Sequence, residues 1–204
     1  MSLIFNFYMK GSIFVEIYAL RHGHTLWNQD NKIQGITDIP LSPQGILQAR
    51  SKILEIKSLP VEKILTSPLK RAWDTAKIIN SDRKLPIESE PSLREVSFGK
   101  WEGLTWEEVK KNYSPLFINN TTGYVNPPGG ESFEDAQIRI SKFLKELMNT
   151  QINHLLVSHK ATIRFMIYSL TKKTPAQTGA IEIPNLSIIK FLIEDDKLKS
   201  WEFI

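Results

Sequence analysis

Short apolar runs alternate with stretches of helical periodicity along this chain, and that alternation most limits what it can fold into. Phe14–Leu20 (FVEIYAL), Val61–Thr66 (VEKILT) and Asn153–Ser158 (NHLLVS) read as buried strands, with a shorter extended piece at Pro86–Glu90. From Pro43 to about Ile56, the apolar residues Ile46, Ala49, Ile53 and Ile56 share one helical face, with Ser42 as N-cap and Pro43 at the first helical position. Ser67-Pro68 repeats that cap signal before a stripe of Leu69, Ala72, Trp73, Ala76 and Ile79. Ser132 and Asp135 approximate a capping box ahead of Phe133, Ala136, Ile140, Phe143 and Leu147. A helix over Ala161–Leu170 follows, then a strand pair, Leu186–Ile193 and Lys197–Phe203, turning at Asp195-Asp196. The expected fold class is α/β: a three-layer sandwich with a mainly parallel central sheet flanked by helices.

Between Tyr113 and Gly130 lie Pro115, Pro127, Pro128, Gly123, Gly129 and Gly130, and Leu104–Asn112 reads as a short helix before them. Residues of about 97–130 are therefore expected to form a small cap inserted in a single domain spanning 1–204. Met1–Ile13 is apolar in places, but no basic region precedes it and no small-residue cleavage site follows. It is expected to be no secretory leader; Met9 would open the domain, with residues 1–8 as an extension.

Composition removes several function classes. A hydrophobic fraction of 41% fills a core and excludes a disordered chain. With no cysteine, disulfide scaffolds, thiolate chemistry and zinc–cysteine sites are excluded, and a cytoplasmic location is expected. No apolar run approaches the roughly 20 residues of a spanning helix, so no membrane partner is expected. Lys+Arg 26 against Asp+Glu 22 leaves +4. The lysines are spread out and not interleaved with aromatics, which argues against nucleic acid. The sequence sets no oligomeric state.

Ligands of open α/β sheets bind beyond the carboxyl ends of the strands. Arg21-His22-Gly23-His24-Thr25 follows the first strand, Ser67 to Arg71 the second, and Ser158-His159 a later one. If these strands are parallel neighbours, Arg21, His22, Arg71 and His159 meet at one edge and make an anion site suited to phosphate. Blander roles compete: Arg71 solvated or paired with Asp74, and His154 structural within its strand. His22 and His24 are spaced to begin a metal site, but no acid follows until Asp30, so neither a metal nor another cofactor is expected.

The ordered set Leu20–Thr25, Trp27-Asn28, Gln34-Gly35, Asp38–Ser42, Thr66–Ala72, Leu93–Glu95, Phe98–Gly103, Pro127–Ser132 and Val157–His159 resembles the histidine phosphatase superfamily, also called the phosphoglycerate mutase-like family. The resemblance implies that His22 is a phosphoryl-accepting nucleophile. Arg21, Arg71 and His159 would clamp phosphoryl oxygens, with Asn28 as a neutral donor. Thr25, Gln34 and Gly35 would line the substrate pocket, and Glu95 would protonate the leaving alcohol and later activate water. The substrate would be a small phosphorylated metabolite, hydrolysed without a metal. Glu131-Ser132 after Pro127–Gly130 is similar to phosphatase members, including α-ribazole-phosphate and broad-specificity enzymes. Alternatives are a phosphoglycerate mutase and a catalytically weak phospho-ligand binding protein. Against a mutase, Val96 follows Glu95 where mutases carry Arg, and no arginine occurs from Glu95 to Ile138. Phe98, Trp101 and Trp106 are expected to form an apolar rim. Lys160 stands where the family usually has glycine, which raises the expectation of an altered backbone there. Lys32 and His24 also depart from the common residues.

Overall fold

The computed structural model describes residues 14–118 and 123–204, so the expectations for Met1–Ile13 lie outside the described residues. Six strands form one sheet: β1 (Phe14–Arg21), β2 (Lys63–Thr66), β3 (Ile87–Ser89), β4 (His154–Ser158), β5 (Ile188–Glu194) and β6 (Lys197–Phe203). Their order is β3-β2-β4-β1-β5-β6. The four strands from β3 to β1 pair in parallel, whereas β1–β5 and β5–β6 are antiparallel. The sheet is thus mixed, parallel on one side and closed by a hairpin on the other. Asp195 (φ 48°) and Asp196 (φ 62°) form the hairpin tip. Two successive left-handed residues match the twist of the strands they join.

Helices cover both faces: α1 (Leu26–Gln29), α2 (Pro43–Ser51), α3 (Ile53–Ser58), α4 (Lys70–Ile79), α5 (Trp106–Asn112), α6 (Phe133–Met148), α7 (Lys160–Leu170) and α8 (Pro175–Gly179). Successive side chains of a strand point to opposite faces. Accordingly Ile17 and Ala19 join α6 and α7 in one core cluster, while Tyr18 and Leu20 join Ala49, Ala72 and Ala76 in another. β4 is buried along its whole length, as a central strand covered on both faces must be.

The helix expected over Pro43–Ile56 is two helices broken at Lys52. Ile46 is exposed, and the buried residues of α2 are Gly45 and Ala49. The reason is close packing: a Cβ on Gly45 would lie 2.0 Å from the His24 carbonyl oxygen. Of the expected stripe Ala49 and Ile56 are buried, while at Ile46 the close approach of Gly45 to the segment following β1 takes the place of side-chain packing.

Within the expected cap, α5 is capped by Thr105 and flanked by single turns at Gly99–Trp101 and Ser114–Phe117. Trp101 is buried and stacks on Phe117, with ring centroids 5.8 Å apart. With Ile33 and Val109 it forms a small hydrophobic cluster, and Phe98 packs against both this cluster and the main core.

Candidate active site

Strand register brings the key residues together. Arg21, the last residue of β1, lies opposite Ser158, the last of β4. The His22 backbone N–H donates to the Ser158 carbonyl at 2.9 Å, and the His22 and His159 rings sit with centroids 5.0 Å apart. On the other side of β4, the Ser67 N–H donates to Val157 O, placing the Ser67 hydroxyl 2.7 Å from His159 Nε2. Ser67 is therefore not the N-cap of α4; Leu69 holds that position without a side-chain hydrogen bond. The hydroxyl expected to start a helix instead holds a histidine.

Arg71 is fully buried in the first turn of α4. It is neither solvated nor paired with Asp74, which takes Lys70 and Lys77. Its Nη2 donates to Gly35 O at 2.7 Å and its Nη1 to Thr37 O at 2.9 Å. The same loop is held from above by Glu102, whose carboxylate accepts from the N–H groups of Ile36, Thr37 and Phe98. Gly35 (φ +53°) is required there, because a Cβ would lie 2.1 Å from Glu102 Oε1.

Arg21, His22, Asn28, Gln34, Gly35, Arg71 and Glu95 line one cavity of about 380 Å³. His159 is not part of its wall; it is fully buried beside His22. Thr25 is also outside the wall, its hydroxyl accepting from Asn28 N–H to cap α1. The Asn28 side-chain Oδ1 accepts from Thr25 N–H and from the Asn185 side-chain amide, which also donates to His22 O at 2.8 Å.

The electrostatics favour a neutral His22 imidazole among fixed cations. His22 Nδ1 lies 2.7 Å from Gly23 O. A carbonyl only accepts, so Nδ1 carries the proton and Nε2 keeps its lone pair. Burial, then the charges of Arg71 and Arg21, hold the His22 pKa well below the ordinary imidazole value. Burial and Arg71 do the same to His159. Burial lowers Arg21 and Arg71 to about 10, with Glu95 opposing the shift, so both remain charged at neutral pH. Arg21 Nε, Arg71 Nε and His159 Nδ1 are buried without a hydrogen-bond partner. Each such group costs about 1–3 kcal/mol while it stays unpaired; of the three residues, Arg21 and Arg71 line the cavity, where an oxyanion would meet their guanidinium groups.

These histidines predict a pH dependence of stability. Unfolded imidazole takes up its proton near pH 6.5, whereas the buried rings do so only at lower pH. Below about pH 6.5 the unfolded state binds more protons, so stability falls with pH by up to about 1.4 kcal/mol per unit per histidine. Urea denaturation at pH 7.5 and 5.5 (roughly spanning that window) should show this loss, and His22→Ala should lose less.

Glu95 is held by the start of α7. Its Oε1 accepts from Val96 N–H and Thr162 N–H, each at 3.1 Å, and the Thr162 hydroxyl, 3.1 Å away, makes its shorter bond, 2.7 Å, to Arg94 O. Its Oε2 has a single longer contact, 3.3 Å from Ala161 N–H, and so keeps lone pairs for a proton. Arg139 steadies the segment before it, donating from Nη1 to Ser92 O at 2.6 Å and to Arg94 O at 3.3 Å. Arg139 also grips the buried Glu131 carboxylate with two bonds of 2.8 Å. Glu131→Gln should lower stability by about 3 kcal/mol, since it strands the Arg139 charge. The fall should appear in chemical denaturation, and a change below about 0.5 kcal/mol would contradict this role.

Lys160 does not strain the backbone. It is the first residue of α7, outside the left-handed region, and its Nζ lies 2.8 Å from Glu182 Oε2. Sequence reasoning missed Ser67 as a partner of His159, and it missed Glu102, Arg139 and Asn185. Glu131 carried a signal through its place in the Pro127–Ser132 motif; Asn185 carried none beyond preceding a buried strand.

The family model of the histidine phosphatase superfamily (branch 1) matches residues 17–203. The 2,3-bisphosphoglycerate-dependent phosphoglycerate mutase 2 of Gloeobacter violaceus is 30% identical, over 82% of this chain and 80% of its own. A Bacillus subtilis protein named uncharacterized phosphatase PhoE is 34% identical, over 91% of this chain and 93% of its own. The crystal structure of the α-ribazole phosphatase from Shigella flexneri superposes with a TM-score of 0.79 at 26% identity, covering 90% of this chain and 93% of that one.

Proposed function

We infer that this chain, which belongs to the histidine phosphatase superfamily, hydrolyses phosphomonoesters of small metabolites through a phosphohistidine, without a metal ion. The observation that carries this reading is His22: its proton is fixed on Nδ1 by Gly23 O, so Nε2 is free in a cavity lined by Arg21 and Arg71. In the first step the Nε2 lone pair attacks phosphorus. The bond from phosphorus to the ester oxygen breaks, and the leaving alkoxide takes a proton from the Glu95 carboxyl. In the second step water attacks the phosphohistidine and gives a proton to the Glu95 carboxylate. The P–N bond breaks, its electron pair returns to Nε2, and phosphate leaves. Arg21 and Arg71 offset the charge on the equatorial oxygens, the part a metal plays in other phosphoryl-transfer sites. Among the described residues, no group of three or more His, Asp or Glu could hold a metal ion. No described helix is long and apolar enough to cross a membrane.

The test is a phosphomonoester panel run beside a phosphoglycerate mutase assay, with and without a chelator. Phosphate release that the chelator leaves unchanged, with little interconversion of phosphoglycerates, is the expected result. Mutase turnover well above phosphate release would overturn the assignment.

A further inference from the structure

We propose that the alcohol part of the substrate is a flat, apolar ring system seated in a second chamber beside the phosphoryl cavity. The proposal rests on the phosphatase reading of that cavity. The chamber measures about 500 Å³, within the range of small-ligand sites. Phe98, Trp106, Ala161 and Arg164 line both spaces, so the two are continuous. An ester whose phosphoryl group sits at His22 would extend its alcohol past these four residues.

The chemistry of the walls selects the occupant. Trp101, Trp106, Phe117 and Tyr168 contribute aromatic surface, and Phe98 meets Trp106 edge-on at the junction. Arg164 is the only charged side chain in this wall among the described residues. Its Nε and Nη2 already donate to Ile181 O, and Glu182 lies 3.7 Å from Nη2. An ammonium on the alcohol would lose its hydration here and meet no anion in the wall among the described residues, and a carboxylate would have Arg164 as its one cationic partner. A flat ring gains offset or edge-on contacts with the aromatic side chains instead.

The test uses phosphonates, which bind without being hydrolysed. Calorimetry should show 2-naphthylmethylphosphonate binding the wild-type protein at least about tenfold tighter than methylphosphonate. Val125→Trp, which places bulk in the chamber wall away from the phosphoryl cavity, should abolish most of that preference and change methylphosphonate affinity less than about twofold. If circular dichroism shows that variant unfolded, Phe117→Ala replaces it, with a preference reduced by about fivefold. Equal affinity of the two phosphonates, or a preference untouched by the folded variant, would overturn the proposal. A preserved preference in a protein that hydrolyses no phosphomonoester would instead overturn the proposed function and leave the chamber assignment standing.

Discussion

His22→Ala should lower phosphate release from every phosphomonoester by at least about a thousandfold, because the proposed phosphoryl intermediate forms on the His22 ring. His159 cannot take over: its Nε2 is tied to Ser67, and the ring lies outside the cavity wall. The substitution should leave the fold intact, since the only side-chain hydrogen bond it removes is to the adjacent Gly23 carbonyl. Wild-type protein quenched during turnover of a labelled ester should hold an acid-labile label that the variant lacks. Residual activity above about a tenth of wild type would exclude His22 as the nucleophile.

Glu95→Gln should be selective. An alkyl alkoxide needs a proton to leave, so alkyl phosphates should slow by about 10²–10⁴-fold, and nitrophenyl phosphate far less. The glutamine carbonyl can keep the two bonds that Oε1 accepts from the Val96 and Thr162 N–H groups, which preserves the position of the side chain. Equal slowing of both ester types would argue for a purely structural carboxylate.

Much of the site was legible because strand ends convert sequence position into spatial position. His22, Arg71 and Glu95 follow strands or lie close after them, and all three reach one cavity. The residues that hold them were not legible. Ser67 and His159 are 92 positions apart, Thr37 and Glu102 are 65 apart, and Arg71 meets Gly35 across 36. No local periodicity encodes such meetings; they exist only once the sheet is assembled. The misreading of α2 has a related cause. A helical stripe predicts burial when a helix packs through large side chains, but α2 packs through Gly45 against a carbonyl, and Ile46 turns outward. Likewise Phe98 and Trp106 were readable as an apolar rim, whereas the burial of Trp101 against Phe117 follows from the folding of the segment on itself.

The closing hairpin also governs how this molecule meets copies of itself. A strand with an open side offers unpaired N–H and C=O groups that can recruit a foreign strand and begin aggregation. Among the described residues the sheet has two such margins, β3 and β6. β3 is only three residues long, too short to template an extended ladder. β6 is longer but carries Lys197, Lys199 and Glu202 along Lys197–Phe203, and a second copy docking on it would have to strip water from these charges. Turning the chain back at Asp195-Asp196 thus ends the sheet on a charged margin, away from a central strand, β4, that is buried along its whole length.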